Sequence, residues 1–173
     1  KGLEITGKTT PGPIIRPQDG SRFEPIIGKP GDGSSPHCSI TDEYHEHKTS
    51  DQLDTMETGM GAREQPLSII LSTAGSSIAG PCREDWKACE RVLEATDGFE
   101  DETLFAIIWT IDKGDSWDSI ESLKKANPNW GISIDVDQME AKLRTAKQRA
   151  NQQSSFRTKH LNEWVATKEA YFN

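Results

Sequence analysis

The chain has 173 residues, of which 33% are hydrophobic and 28% charged, which bounds it to an ordinary domain with a modest core and a heavily solvated surface. No apolar run approaches the ~20 residues that span a bilayer, and Lys1–Thr10 lacks the apolar stretch of a secretory signal, so membrane insertion and secretion are not expected. The net charge of −8 is uneven: residues 1–141 carry −13 and residues 142–173 carry +5, so most of the surface should repel DNA. The basic run Lys142, Arg144, Lys147, Arg149 reads first as a solvated helix face.

In chain order the pattern is mixed α/β without an internal repeat. Ile14–Arg16 and Arg22–Ile27 are β-prone runs around Asp19–Gly20, which predicts a hairpin, and a Gly/Pro/Ser-rich loop follows over Gly28–Pro36. His37–Thr41 reads as a buried strand ending in Asp42–Glu43. Thr49–Met60 places Leu53, Met56 and Met60 on one helical stripe, after the capping candidates Thr49 and Ser50. Leu67–Leu71 is a second buried strand running into Ser72–Gly75, and Pro81–Thr96 is a helix with Pro at its start and Gly98 past its end. Leu104–Ile111 is the most apolar strand candidate. Ser119–Ala126 reads as a short helix stopped by Asn127–Pro128, and Asp135–Ala150 as a longer one. Strands alternating with helices imply a partly parallel sheet covered on both faces.

The three cysteines, Cys38, Cys82 and Cys89, are an odd number without a CxxC pair and fit reduced structural thiols; Cys82 and Cys89 can share a face of the predicted helix.

Chemistry concentrates at His37-Cys-Ser-Ile-Thr-Asp-Glu-Tyr-His-Glu-His47. In a nucleotide hydrolase with this arrangement, a carboxylate leaving the strand end holds Mg²⁺ through its water shell, a role that fits Asp42. The second carboxylate orients or deprotonates the attacking water, a role that fits Glu43. Strand ends often carry acidic turn residues, so this pattern alone leaves both readings open. The next strand ends in Ser72-Thr-Ala-Gly75, small and hydroxyl-bearing residues that let a strand end approach a phosphate site.

Together these motifs resemble the large terminase subunits of tailed phages, in the group whose Asp-Glu box continues as DE-aromatic/Leu-His-x-His. Gly20-Ser-Arg-Phe-Glu-Pro25, Glu57-Thr-Gly-Met-Gly-Ala-Arg63, Ala126-Asn-Pro-Asn-Trp-Gly131 and Lys159-His-Leu-Asn-Glu-Trp164 are similar to family segments, in the family's order. The resemblance implies a partial P-loop NTPase sheet of the additional-strand, RecA-like kind, with flanking helices and a small helical linker subdomain. Residues 1–113 would be the C-terminal part of the ATPase core, and residues 114–173 the linker leading to a ribonuclease-H-like nuclease that this chain does not reach. The implied activity is ATP-driven packaging of viral DNA into proheads in the bacterial host cytoplasm, from a phage or prophage gene. Its cofactors would be Mg²⁺ and ATP. Its partners would be the terminase small subunit, the portal protein, double-stranded phage DNA and further copies of itself on the portal. Asp42 and Glu43 match the Walker B pair; Ser72, Thr73, Ala74 and Gly75 match the coupling motif.

Gly2-Leu-Glu-Ile-Thr-Gly-Lys-Thr9 satisfies G-x-x-x-x-G-K-[ST], but no strand precedes Gly2 in this sequence, and Pro11 and Pro13 oppose the helix that would aim amides at phosphate. It is read as a decoy, with the working phosphate loop expected in sequence upstream; tight nucleotide binding by this segment alone is therefore not expected. His45 and His47 with Glu43 or Glu46 offer zinc-type ligands, yet the segment has left its strand, so they are read as loop residues near the nucleotide site. Arg63 is a candidate trans-acting arginine beside a surface or capping role. The tryptophans, Trp86, Trp109, Trp117, Trp130 and Trp164, are assigned to packing. The other class of function is a non-catalytic remnant or interaction module.

Overall fold

The computed structural model describes residues 4–5, 12–26, 28 and 33–165. The chain divides into two compact units, one of residues 1–39 and 51–68 and the other of residues 40–50 and 69–173.

The first unit opens on a three-stranded antiparallel meander of β1 (Glu4–Ile5), β2 (Ile14–Arg16) and β3 (Ser21–Phe23), in register Ile5↔Ile14 and Ile14↔Phe23. The β2–β3 turn forms where Asp19–Gly20 predicted it. Gly20 takes φ 73°, Asp19 accepts from the Ser21 amide at 2.9 Å, and Arg16 pairs with Asp19 at 3.1 Å. Hydrogen bonds from Ser21 hold the Asp19 carboxyl below its ordinary pKa. The strand expected over Arg22–Ile27 starts one residue earlier and ends at Phe23.

β4 (Cys38–Thr41) and β5 (Leu67–Ile70) form a separate two-stranded sheet, and neither is the buried strand expected, because a two-stranded sheet leaves Ile40 50% and Leu67 53% exposed. Leu67 N–H donates to the His37 carbonyl at 3.0 Å and Leu71 N–H to the Thr41 carbonyl at 2.8 Å, a constant offset that makes the pair parallel. A parallel pair needs a crossover, and α1 (Asp51–Gly59) lies on that connection. Its buried residues are the predicted stripe, Leu53 and Met56, continued by Met60 in a 3₁₀ turn. Gly59 is required by close approach: a Cβ there would lie 2.2 Å from the Ser34 carbonyl oxygen.

The second unit holds the larger core. α2 (Pro81–Leu93) starts on Pro at N1 and carries Cys82 and Cys89, both free thiols with pKa values raised chiefly by burial. After it, Leu104–Ile111 is not a strand. Phe105, Ile107 and Trp109 are exposed and alternate with half-buried Leu104, Ala106 and Ile108, so the period of two is present. No ladder partner meets the segment among the described residues, and a strand exists only through a neighbour's hydrogen bonds.

The rest is a three-helix cluster. α3 (Ile120–Ala126) is capped by Ser119, which accepts from the Ser122 amide at 3.0 Å, and α4 (Val136–Gln148) by Asp135, which accepts from the Gln138 amide at 3.0 Å. The predicted helix Asp135–Ala150 ends at Arg149, and a further helix, α5 (Ala150–Leu161), follows directly. That helix was not legible because Asn151, Ser154 and Ser155 in its first turns favour caps and turns over helix and its inward residues are few. Leu123, Ala126, Met139, Leu143, Ala146, Phe156 and Leu161 are the buried centre, with Trp117 and Trp130 packed against it as expected, whereas Trp109, also assigned to packing, is 50% exposed. Asn127 ties the cluster together by donating to the Leu123 and His160 carbonyls, each at 2.8 Å. No helix of the described residues is long and apolar enough to cross a membrane.

Leu123 and Leu161 are both 0% exposed. Truncating either to Ala should destabilise the chain by about 2–5 kcal/mol, the usual range for a buried Leu, read as a lowered urea midpoint at unchanged m-value. His160 packs on the Phe156 ring at 5.1 Å, and burial, then the charges of Lys142 and Lys159, push its pKa below the ordinary 6.5. A depressed imidazole pKa means the unfolded chain binds the proton first. Its contribution is therefore present above pH 6.5 and lost as the pH falls towards the folded-state value. The thermal midpoint should drop between pH 7.5 and pH 5.5, by less in His160→Gln.

Candidate functional site

The parallel pairing of β4 and β5 brings the two chemically loaded segments together. β4 ends at Thr41, so Asp42 and Glu43 leave the strand in succession, and Tyr44 N–H reaches the Leu71 carbonyl at 3.4 Å. Glu43 sits at φ 52°, ψ 40°, a left-handed conformation uncommon for a residue with a Cβ, and caps the 3₁₀ turn Tyr44–Glu46. Asp42 Oδ1 accepts the Glu43 amide at 2.9 Å and satisfies the backbone at that bend. Tyr44 is 1% exposed, stacks edge-on against His47 at 5.3 Å and anchors the turn.

His45 joins this turn to the Ser72–Gly75 segment. Its amide donates to Ser72 Oγ at 2.9 Å, and its Nδ1 lies 3.2 Å from Ser72 Oγ and 3.4 Å from Thr73 Oγ1. The same Nδ1 lies 3.4 Å from Glu43 Oε2, while Nε2 lies 3.3 Å from Glu46 Oε1. One imidazole thus stands between two carboxylates and two hydroxyls. Ser72 is used further, donating to the Thr73 carbonyl at 3.1 Å and meeting Cys82 Sγ at 3.3 Å. Gly75 is buried against the ring's base: an added Cβ would lie 3.1 Å from His45 Cβ.

These residues open onto a cavity of about 560 Å³. One wall is Glu43, His45 and Glu46 with Thr73–Ser76; the other is the polar face of α5, where Asn151, Ser154, Ser155, Thr158 and Lys159 line it. The volume suits a small charged ligand, and the lining supplies carboxylates, hydroxyls and one ammonium. The α5 face is the part of the site that the sequence reading missed. Its signal was the spacing of small polar residues at 151, 154, 155 and 158, which is one helical stripe.

Asp42 is exposed, adjoins Glu43 and does not itself line the cavity. Arg63 lies in the first unit, where its Nε donates to the Ser35 carbonyl at 3.1 Å. Of Gly2–Thr9, only Glu4 and Ile5 are described, and they form β1; Gly2, Gly7, Lys8 and Thr9 lie outside the described residues. No group of three or more metal-type side chains converges among the described residues. A Mg²⁺ held through waters by one carboxylate and by substrate phosphates does not require such a group, so Asp42 and Glu43 fit that donor set.

The architecture among the described residues is an α/β one of small sheets and five α-helices, and it is found in a solved protein. The chain superposes on the crystal structure of the HK97 bacteriophage large terminase with a TM-score of 0.76, covering 95% of this chain and 33% of that one at 24% identity. Residues 28–91 match the family described as terminase large subunit, ATPase domain. Protein YmfN of Escherichia coli (strain K12) is 46% identical over 144 residues, which are 83% of this chain and 31% of that protein. These similarities support a terminase large-subunit segment with the fold of the HK97 large terminase, and the chain spans about a third of the length of these relatives.

Adding a side chain at Gly75 tests the close packing of the two segments. Gly75→Ala should displace the His45 ring and destabilise the chain by about 1–3 kcal/mol, as overpacking does. The imidazole proton resonances of His45 should move while those of His160 stay.

Proposed function

We propose that this chain contributes the metal-binding and water-activating carboxylates of an ATP-driven motor that packages viral DNA into proheads. The observation that carries this reading is the convergence of Glu43 and Thr73 on His45 at the ends of two parallel strands, beside a cavity large enough for a nucleotide. In this reading Asp42 would hold the water shell of Mg²⁺, and the ion would supply positive charge for the phosphate oxygens. Glu43 orients and deprotonates the attacking water. Ser72, Thr73, Ala74 and Gly75 act as the coupling motif, because the Ser72 and Thr73 hydroxyls share His45 with Glu43 and register any shift of that carboxylate. Lys159, on the opposite wall, supplies positive charge facing Glu43 and Glu46. Arg63, whose guanidinium donates to the Ser35 carbonyl, serves a surface contact in the first unit, with the trans-acting arginine of a neighbouring subunit as the second reading.

Residues 1–113 form the C-terminal part of the ATPase core and residues 114–173 the linker to a nuclease. The phosphate loop is supplied by sequence other than Gly2–Thr9. The partners are the terminase small subunit, the portal protein, double-stranded DNA and further copies of the motor, in the bacterial host cytoplasm. The segment alone is inactive, since loop amides and a lysine provide most of the affinity for a triphosphate in this class of enzyme.

Calorimetry with Mg-ATP and a phosphate-release assay on the 173-residue chain test this. The expected result is weak binding without turnover. Adding an upstream phosphate-loop segment should restore turnover, and Glu43→Gln should then lower it by roughly 10²–10⁴-fold, the usual contribution of a general base. Micromolar affinity and turnover abolished by both Lys8→Ala and Glu43→Gln would instead make Gly2–Thr9 a working loop. No turnover with the loop supplied would leave a non-catalytic module.

A further inference from the structure

α5 ends on Asn162, and three segments far apart in sequence meet at this residue. Its backbone is left-handed, at φ 53° and ψ 41°, and its amide closes the helix on the Arg157 carbonyl. Asn tolerates this conformation better than most residues with a Cβ, so the helix end is where Asn belongs by backbone alone. The side chain has separate partners. Oδ1 accepts the Ala74 amide at 2.6 Å and Nδ2 donates to the Trp109 carbonyl at 2.9 Å. Reversing the side-chain amide would face donor with donor and acceptor with acceptor, so the two partners set its orientation. Thr110 Oγ1 completes the junction, within 3.0 Å of the Asn162 carbonyl and 3.1 Å of the Leu161 carbonyl.

We propose that Asn162 is a positioning residue that latches the Ser72–Gly75 segment to the end of α5, so that the two walls of the cavity move as one. Ala74 is 1% exposed, and without Asn162 its amide would be left buried and unpaired, which the fold avoids at some cost in stability. The α5 stripe through Asn151, Ser154, Ser155 and Thr158 lines the cavity, and Asn162 is its next member in helical spacing. A ligand that shifts Thr73–Ser76 therefore pulls on Ala74, and the latch passes that displacement to the last turn of α5 and to Trp109–Thr110. The role of this movement in a motor rests on reading Ser72–Gly75 as the coupling motif; the latch itself needs no nucleotide.

The test uses the 173-residue chain without ligand, so its outcome is independent of whether the chain serves an ATPase. In the wild type, a scalar coupling across the hydrogen bond should link the Ala74 amide nitrogen to the Asn162 side-chain carbonyl carbon. Asn162→Gly keeps the left-handed backbone and removes the side chain. It should speed Ala74 amide exchange at least tenfold and leave the amides of α2 unchanged. Asn162→Asp retains the acceptor for Ala74 but cannot donate to Trp109, so it should rescue the Ala74 protection. Transmission is read with Gly75→Ala, which displaces the segment: it should move the backbone amide resonances of residues 161–163 in the wild-type background and leave them in place in Asn162→Gly. The proposal is overturned by an absent coupling, by wild-type exchange of Ala74 in Asn162→Gly, by failure of Asn162→Asp to rescue, or by transmission that persists without the side chain.

Discussion

Two backbone hydrogen bonds, Leu67 N–H to the His37 carbonyl and Leu71 N–H to the Thr41 carbonyl, determine much of what this chain can do. They make β4 and β5 parallel and in step, so both strands end at the same place. Antiparallel pairing would have sent Asp42–Glu43 and Ser72–Gly75 to opposite ends of the strands. Parallel pairing delivers both to one crevice, the location where open α/β sheets hold their ligands. His45 then completes the junction, because its amide and ring reach Ser72 and Thr73 while the ring still faces Glu43 and Glu46.

The backbone is bent to suit this junction. Glu43 takes a left-handed conformation that usually raises the energy of a residue with a Cβ by about 1–3 kcal/mol. Asp42 offsets part of that by accepting the Glu43 amide, and buried Tyr44 holds the turn from below. Strain at one of two adjacent carboxylates, beside a polar cavity, is the pattern of a site held in position by its surroundings. Glu43 and Glu46 also place negative charge where an anionic ligand would sit, with Lys159 as the cation among the cavity-lining residues. Electrostatics therefore makes binding of an anionic ligand here depend on further positive charge, which a metal ion and a phosphate loop would bring under the proposed function.

α5 serves two purposes with two faces. Phe156 and Leu161 pack into the core with Leu123, Met139 and Leu143, which gives the helix a rigid seat. Its opposite face carries hydroxyls, an amide and an ammonium to the cavity. A 12-residue helix with few apolar residues is poor at standing alone; here tertiary burial of those few decides its existence, and Asn162 ends it at the point where Ala74 and Trp109 need a partner.

Local chemistry in the sequence was sufficient for the hairpin around Asp19–Gly20, the strands before Asp42 and Ser72, the stripe of Leu53, Met56 and Met60, and the helices starting at Pro81 and after Ser119. Each rests on signals within a few residues: a turn dipeptide, an apolar run, a helical period, a cap. The strand read at Leu104–Ile111 failed because alternation prescribes a side-chain pattern, whereas a strand also requires a hydrogen-bonded neighbour that no local signal supplies. α5 was missed because its stabilising contacts come from α3 and α4 rather than from its own propensities. Asp42, Glu43 and Ser72–Gly75 were legible as strand-end carboxylates and small, hydroxyl-bearing residues. The bridging geometry of His45, the polar wall of α5 and the grip of Asn162 on Ala74, 88 residues away, were decided by tertiary structure alone. Contacts at that separation depend on how whole elements pack, and packing is a property of the assembled core that no short stretch of sequence encodes.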